Sequence, residues 1–141
     1  MDIQGLYMFI PHAGGLRALR YFLDRRQDKT PPTDTVVRLA ELVLTLNVFE
    51  FGDQYFKQTK GVAMGTKMGP SYACLFVGYL EHEMFLRYPG VVPSLYMRYI
   101  DDIMGATSCT YTELCDFLGF VGSFHPAIKY TSIVSEDSLP F

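Results

Sequence analysis

The sequence predicts a mixed α/β fold of the α+β type, in which a small antiparallel sheet packs on helices. Short apolar segments typical of strands lie near both ends of the chain and around residues 95–104. Between them lie two amphipathic helical patterns, over residues 14–26 and 33–46, and a nearly continuous apolar segment over residues 71–88. Because strands and helices do not alternate regularly, this order argues against a doubly wound parallel sheet.

Composition limits the class of protein. The 141 residues, 49% of them hydrophobic, suffice for one core, so we expect a single globular unit. A formal net charge of −3 argues against a protein that binds nucleic acid by itself. Three cysteines without CxxC spacing predict neither a disulfide framework nor a zinc site. With no leader pattern and no apolar run of roughly 18 residues, we expect an intracellular protein, nuclear or cytoplasmic, with no membrane partner.

Apolar spacing and helix breakers define the first elements. The segment IQGLYMFIP, residues 3–11, predicts a strand that ends at Pro11. One helix is predicted from Gly14 or Gly15, and Asp34 or Thr33 is expected to cap a second. The apolar positions of the two helices are Leu16, Leu19, Phe22 and Leu23, then Val36, Leu39, Leu42, Val43 and Leu46.

The middle of the chain predicts a hairpin, a loop and a buried helix. Phe49, Phe51, Tyr55 and Phe56 flank Gly52-Asp53, as in a short hairpin. The Gly-rich loop QTKGVAMGTKMGP, residues 58–70, leads into SYACLFVGYLEHEMFLRY, residues 71–88. This segment is apolar on nearly every side in its first half, which predicts a buried helix.

The last third predicts a hairpin, a helix and a strand. MRYIDDIMG, residues 97–105, sets Asp101 and Asp102 between two short apolar runs. Thr110 and Glu113 fit a capping box, followed by a helix with Leu114, Phe117, Leu118 and Val121 on its apolar side. AIKYTSIV, residues 127–134, is the final strand candidate.

The adjacent carboxylates of Asp101 and Asp102 allow two interpretations. Aspartate suits tight turns because its side chain bonds nearby backbone amides. Carboxylates are also the ligands that Mg²⁺ prefers. Phosphoryl transfer with two metal ions needs a carboxylate from a second strand, and Asp2 is the natural donor. The Gly-rich loop is either a site where backbone approaches a base pair or triphosphate closely, or simply a flexible entry to the helix.

Three motifs in the expected order resemble those of reverse transcriptases. YIDD, residues 99–102, is similar to their Tyr-x-Asp-Asp motif. QTKGVAMGTKMGPSYACLF, residues 58–76, resembles Gln-x-x-Gly-x-x-Met-Gly-x(4)-Pro-x-x-Ala. DIQGLYMFIPHAGGL, residues 2–16, resembles the strand with the first catalytic aspartate in Penelope-like retroelements, and HPAIKYT, residues 125–131, resembles the segment after their Asp-Asp hairpin. The resemblance covers essentially the whole chain.

The resemblance implies that residues 1–141 form the palm part of a reverse transcriptase domain, without the upstream fingers and the thumb. It implies an RNA-directed DNA polymerase that transfers nucleotides to a primer 3′-OH in retroelement replication, with two Mg²⁺ ions or Mn²⁺ in their place. The implied partners are an RNA template, a DNA primer, deoxynucleoside triphosphates, and the fingers, thumb and endonuclease of a full-length element. We expect the chain alone to be inactive, because those parts position the substrates.

The resemblance also assigns site residues. It implies that Asp2 and Asp101 bind both metal ions, that Asp102 assists, and that the backbone carbonyl of Ile3 is a further ligand. Tyr7 matches the aromatic gate that excludes a 2′-hydroxyl.

The remaining assignments concern the nucleotide. Gln58 would lie over the incoming nucleotide, while Gly61, Met64 and Gly65 shape the loop near the templating pair. Lys129 matches a lysine near the triphosphate, or is simply an exposed strand residue.

Two departures and two alternatives accompany the resemblance. Met8 and Phe9 stand where family members usually have polar residues, and the chain starts one residue before Asp2. One alternative is a truncated, catalytically inactive retroelement remnant that retains only the palm fold. The other is an RNA-copying viral polymerase, although such enzymes typically carry Gly-Asp-Asp and Ile100 favours a DNA-making enzyme. The sequence does not predict template preference, primer type or oligomeric state.

Overall fold

The computed structural model describes residues 1–136, which form five helices and six strands. The chain divides into two compact units, one made of Met1–Gln4 with the chain from His82 onward, the other of Gly5–Glu81. The α+β class predicted from the sequence is confirmed, with a small antiparallel sheet. No helix in the described part of the chain combines the length and apolarity that crossing a membrane requires.

The elements follow one another along the chain with short connections. Their order is β1 (Asp2–Gln4), α1 (Leu6–Phe9), α2 (His12–Leu23), α3 (Thr33–Thr45), β2 (Val48–Phe51), β3 (Gln54–Lys57), α4 (Gly69–Arg87), β4 (Leu95–Tyr99), β5 (Asp102–Ala106), α5 (Tyr111–Phe124) and β6 (Lys129–Thr131). The unit boundary falls within α4.

A four-stranded antiparallel sheet in the order β4-β5-β1-β6 organises the first unit. Ile3 and Ile103 are buried on one face of this sheet. Tyr96 and Tyr130 pack against a core of Met84, Phe117 and Val121, contributed by the end of α4 and by α5. Helices therefore cover this face, which we call the packed face.

The opposite face of the sheet, here called the open face, is exposed. Since side chains alternate along a strand, the residues between the packed positions point to it. They are Asp2 and Gln4 on β1, Leu95, Met97 and Tyr99 on β4, Asp102 and Met104 on β5, and Lys129 and Thr131 on β6. All of them are exposed except the half-buried Asp2. The open face thus combines charged and apolar side chains.

The strand predicted over residues 3–11 is wrong beyond Gln4. Gly5 has a φ of 59°, a left-handed conformation that ends β1. The amide of Met8 then donates to the Gly5 carbonyl at 2.9 Å, and α1 forms in place of an extended strand. Apolar content alone did not distinguish a short helix from a strand here.

The first long helix, α2, begins two or three residues earlier than predicted, at His12 directly after Pro11. It packs closely on α4: a Cβ on Gly15 would lie only 2.1 Å from the Tyr72 hydroxyl oxygen. This hydroxyl donates to the His12 carbonyl at 3.2 Å, and burial raises its pKa. Glycine at position 15 therefore permits the close helix contact.

Both the cap and the apolar face predicted for α3 are wrong. The helix starts at Thr33 after Pro32, without a side-chain cap, and Asp34 in its first turn instead pairs with Arg20 at 2.7 Å. The buried apolar positions are Ala40 and Leu44; of the predicted face, Val36 and Leu42 are half-buried, whereas Leu39, Val43 and Leu46 are exposed. Apolar residues lie on two sides of the helix. It packs with the side that carries Ala40 and Leu44.

The other predicted elements are confirmed. The aromatic hairpin forms as β2 and β3 around Gly52 and Asp53, both with positive φ, and α4 has buried residues from Tyr72 to Met84. β4 and β5 form the predicted second hairpin, and β6 forms over part of the last strand candidate. The capping box of α5 is complete, with Thr110 accepting from the Glu113 amide and Glu113 accepting from the Thr110 amide.

The capping box gives a direct test of this fold. We expect Thr110→Ala to lower the free energy of unfolding by about 1 kcal/mol, because the amide at the start of α5 loses its acceptor. Thr112→Ala, the same change two residues later at an exposed position with no side-chain bond, should leave stability unchanged or raise it by a few tenths of a kcal/mol. Urea unfolding followed by circular dichroism measures both, and equal losses would contradict the capping box.

Candidate active site

Asp2 and Asp102 lie directly opposite each other on β1 and β5. The flanking backbone hydrogen bonds run from the Ile103 amide to the Met1 carbonyl, 2.8 Å, and from the Ile3 amide to the Asp101 carbonyl, 3.0 Å. This pattern makes Asp2 and Asp102 a non-hydrogen-bonded pair, the type in which facing side chains are closest. The sequence predicts that Asp2 lies beside Asp101 and Asp102 on strands of one sheet, and the register shows the part of this prediction that concerns Asp102.

The second hairpin has a two-residue turn. Tyr99 pairs with Asp102, which leaves Ile100 and Asp101 as the turn. Ile100 has a φ of 56°, which is rare for a β-branched residue and costs of order 1–3 kcal/mol. The hairpin of β2 and β3 uses Gly52 and Asp53 at its positive-φ positions, which carry little or no such cost. Backbone strain is therefore concentrated at the turn that carries Asp101.

Two hydrogen bonds hold this strained turn. The guanidinium of Arg98, which is paired with Ile103 and half-buried on the packed face, donates to the Ile100 carbonyl at 2.9 Å. The next carbonyl, that of Asp101, accepts from the Ile3 amide. Both turn carbonyls are thus fixed from within the first unit, so the turn is held in place without glycine.

None of the ion pairs found within residues 1–136 includes Asp2, Asp101 or Asp102. The ion pairs within residues 1–136 join Arg20 to Asp34, Arg38 to Glu41 and Arg87 to Glu83. The carboxylate of Asp2 accepts one hydrogen bond, from the neutral amide Nε2 of Gln4. Two charges about 5 Å apart repel by about 1 kcal/mol in water, and by more where the solvent is partly excluded. A bound cation would relieve this repulsion.

The donor set suits a magnesium ion that completes its coordination elsewhere. Mg²⁺ is usually held by one or two carboxylates, with waters and substrate phosphates as its other ligands. Asp2 and Asp102 supply two carboxylates on one face. The amide and carbonyl of a strand residue point to the same side, so the Ile3 carbonyl is also directed toward β5 and the turn. The residues present fit such an ion.

The predicted convergence of three carboxylates is not assembled. In the part of the chain that the structure describes, no three His, Cys, Asp or Glu side chains are arranged to hold a metal ion. Asp101 occupies the turn, outside the ladder, and so does not follow the alternation that brings Asp2 and Asp102 together. The carboxylate across from Asp2 belongs to Asp102, to which the resemblance assigns only an assisting role.

Within the second unit, the Gly-rich loop is bonded to the segment that follows β1. The Gly61 amide donates to the Ile10 carbonyl at 2.9 Å, and the Val62 amide to the Tyr7 carbonyl at 2.7 Å. The imidazole Nε2 of His12 lies 2.8 Å from the Gly61 carbonyl oxygen. Gly61 has a φ of 74°, and a Cβ there would lie 2.5 Å from the Tyr7 carbonyl oxygen. Only glycine allows this approach of two backbones.

Tyr7, the predicted sugar gate, is half-buried beside the start of α4. Its ring atom Cε1 lies 3.7 Å from the position that a Cβ on Gly69 would occupy. The resemblance assigns Tyr7 to the sugar gate and Gly61 to the loop near the templating pair, and the two residues are brought together in the second unit. The same contact would also be made by a tyrosine that only packs.

The other loop residues have distinct environments. The side chain of Gln58 accepts from Asn47 Nδ2 at 2.6 Å and donates to the Lys60 carbonyl at 2.9 Å, so its amide is engaged within the loop and hairpin. Met64 is 72% exposed. Gly65 has a φ of 92° and open space around it. Met64 and Gly65 form an accessible tip, whereas Gln58 holds the base of the loop.

Lys129 lies on the open face, in the first unit. It pairs with Gln4 across β1 and β6, and its side chain is exposed. The alternation places it on the same face as Asp2. The first unit thus holds Asp2, Ile3, Asp101, Asp102 and Lys129, and the second holds Tyr7, Gln58, Gly61, Met64 and Gly65.

Sequence reasoning missed three residues that support these positions. Gln4 lies two residues after Asp2, and strand alternation could have placed it on the same face. The side chains of Arg98 and His12 are hydrogen-bonded to the backbone carbonyls of Ile100 and Gly61. Both contacts depend on how the chain folds. No local pattern in the sequence marks either contact.

Comparisons with protein-family models, with curated proteins and with solved structures find no match to this chain. The assignment of its motifs therefore depends on the residues themselves and on the geometry described above.

The Gly-rich loop provides a matched pair of substitutions. Gly65→Ala should cost about 1–2 kcal/mol of stability, because alanine disfavours a positive φ but meets no atom there. Gly61→Ala should cost more, about 3 kcal/mol or above, since its Cβ would also collide with the backbone of Tyr7 and Met8. Urea unfolding of both variants measures the difference. Equal losses would show that the loop does not pack on this backbone.

Proposed function

We propose that this chain is the palm part of a reverse transcriptase of the Penelope-like type, which adds deoxynucleotides to a primer 3′-OH on an RNA template. The observation that carries the proposal is the register of Asp2 with Asp102. These two residues belong to two motifs that resemble the family independently and lie about a hundred residues apart in the chain. A sheet that brings them face to face supports their use in one site.

The first unit would supply the metal ligands. Asp2 and Asp102 would hold Mg²⁺ from facing strands, Asp101 would reach it from the turn, and the Ile3 carbonyl would be a backbone ligand. When bound, a pair of such ions activates the attacking oxygen and stabilises the leaving oxygen in phosphoryl transfer. The ladder on both sides of β1 would keep the Asp2 carboxylate in place through the reaction.

The open face suits the approach of substrates. Its residues around Asp2 and Asp102 are exposed, so a primer end and a triphosphate could reach the carboxylates. Lys129 on the same face would attract the phosphates of the nucleotide. Strain at Ile100 adds support, because residues held in rare backbone conformations cluster at functional sites.

The resemblance assigns the other nucleotide contacts to residues that lie in the second unit. Gly61 joins the loop that resembles the second motif to the backbone around Tyr7. The accessible Met64 and Gly65 would meet the base pair from this loop, and the ring of Tyr7 would lie under the sugar. Gln58 would act by holding the base of the loop, since its amide is already bonded to Asn47 and Lys60.

Metal binding tests the proposal most directly. We expect the 141-residue chain to bind Mn²⁺, and Asp2→Asn and Asp102→Asn each to weaken this binding about tenfold or more, because a charged ligand is lost. Asp53→Asn is the matched control, since Asp53 lies in the turn of the other hairpin and asparagine tolerates its positive φ. Free Mn²⁺ is measured by electron paramagnetic resonance. Binding that is equal in the wild type and in Asp2→Asn would favour the catalytically inactive remnant.

Sugar choice tests the assignment of Tyr7. In a longer polymerase that contains this segment, Tyr7→Ala should raise the use of ribonucleotides relative to deoxyribonucleotides, because the ring excludes the 2′-hydroxyl by its shape. Tyr7→Phe keeps the ring and should leave discrimination unchanged. Single-nucleotide extension with each substrate measures the ratio. Unchanged discrimination in Tyr7→Ala would remove Tyr7 from the site.

A further inference from the structure

The side chain of Gln4 is bonded to the carboxylate of Asp2. Its Nε2 donates to Asp2 Oδ2, and the Thr131 hydroxyl oxygen lies 3.4 Å from the same nitrogen. Gln4 follows Asp2 by two residues on β1, and Thr131 pairs with Asp2 on β6, so the three side chains share the open face. The motifs that resemble the family assign no role to Gln4 or to Thr131.

The two contacts fix the direction of the Gln4 amide. Its nitrogen carries two hydrogens, one directed at the carboxylate and one at the hydroxyl. If the amide were flipped, its oxygen would face the Asp2 carboxylate, and two acceptors would repel each other. The donor orientation is therefore the favoured one, and it engages Oδ2, whereas within residues 1–136 no hydrogen bond to Oδ1 is formed.

We propose that Gln4 is a positioning residue, which sets the Asp2 carboxylate so that Oδ1 is directed to a divalent cation. This inference rests on the proposed function of Asp2 as a metal ligand. Residues that hydrogen-bond a metal ligand typically change metal affinity by 10–100-fold when they are replaced.

A neutral donor suits this role better than a cationic one. A lysine or arginine at position 4 would form an ion pair with Asp2 and would oppose the charge of the metal ion. The amide of glutamine orients the carboxylate and leaves its full negative charge available. The exposed position of Gln4 also means that its removal leaves no buried group unpaired.

The test uses Mn²⁺ as the probe and the full 141-residue chain. Gln4→Met keeps the length of the side chain but removes its donor, and Gln4→Ala is a second variant in case the first perturbs folding. Gln54→Met makes the same change on the exposed strand β3, where no carboxylate is bonded. Mn²⁺ affinity is measured by electron paramagnetic resonance, and the bound site by Mn²⁺-dependent broadening of Asp2 and Ile3 amide resonances. Urea unfolding without metal reports any purely structural effect.

Three outcomes are informative. A loss of about tenfold in Mn²⁺ affinity for Gln4→Met and Gln4→Ala, with unchanged unfolding and with Gln54→Met equal to the wild type, supports the inference. Wild-type affinity in both Gln4 variants, together with a loss in Asp2→Asn, overturns the inference and leaves the proposed function intact. Mn²⁺ binding that does not depend on Asp2 overturns the proposed function and the inference with it.

Discussion

The register between β1 and β5 is the constraint on which the candidate site depends. A shift of one residue along β1 would turn Asp2 and Gln4 to the packed face and Ile3 to the open face. Burial of an isoleucine side chain stabilises by about 1.5–3 kcal/mol, and Ile3 is only 1% exposed. The repulsion between exposed carboxylates is smaller, about 1 kcal/mol in water. Packing of Ile3 and Ile103 therefore determines where the carboxylates lie, against their own electrostatic preference.

The turn at Ile100 shows how a costly local conformation is maintained. Glycine would adopt its positive φ freely, but it would also allow the turn many other conformations. Isoleucine restricts the backbone. Arg98 donates to the Ile100 carbonyl and the Ile3 amide donates to the Asp101 carbonyl, and these two bonds select one conformation of the turn. The Ile3 amide belongs to the strand that carries Asp2. The turn and the first aspartate are consequently positioned by one hydrogen-bond ladder.

Local signals predicted much of the fold, and long-range packing decided what they missed. The capping box of Thr110 and Glu113 and the turn at Gly52 and Asp53 could be read from a few neighbouring residues, and both form. The end of β1 at Gly5 could not be predicted in this way, because glycine adopts both left-handed and extended conformations and its presence does not tell which one forms.

The face of α3 illustrates the second kind of failure. Apolar residues occupy two sides of this helix, and the choice of Ala40 and Leu44 over Leu39 and Val43 depends on which surface it packs against. In the site, the two-metal requirement predicted that Asp2 lies beside Asp101 and Asp102. The sequence did not predict that Asp101 stands outside the ladder, or that the amide of Gln58 is bonded within its own loop.

Several departures from local rules coincide in the sheet of the first unit. Facing carboxylates and a β-branched residue with positive φ each lower stability, and the exposed side chains of Met97 and Met104 beside them bury only part of their apolar surface. A sheet selected for stability alone would have no reason to retain all of them. Sequences that otherwise agree with their fold break such rules mainly at functional sites. Burial of Ile3 and Ile103 on the packed face stabilises the sheet and offsets these unfavourable contributions. The coincidence of these features in and beside the open face supports the proposal that the site lies there.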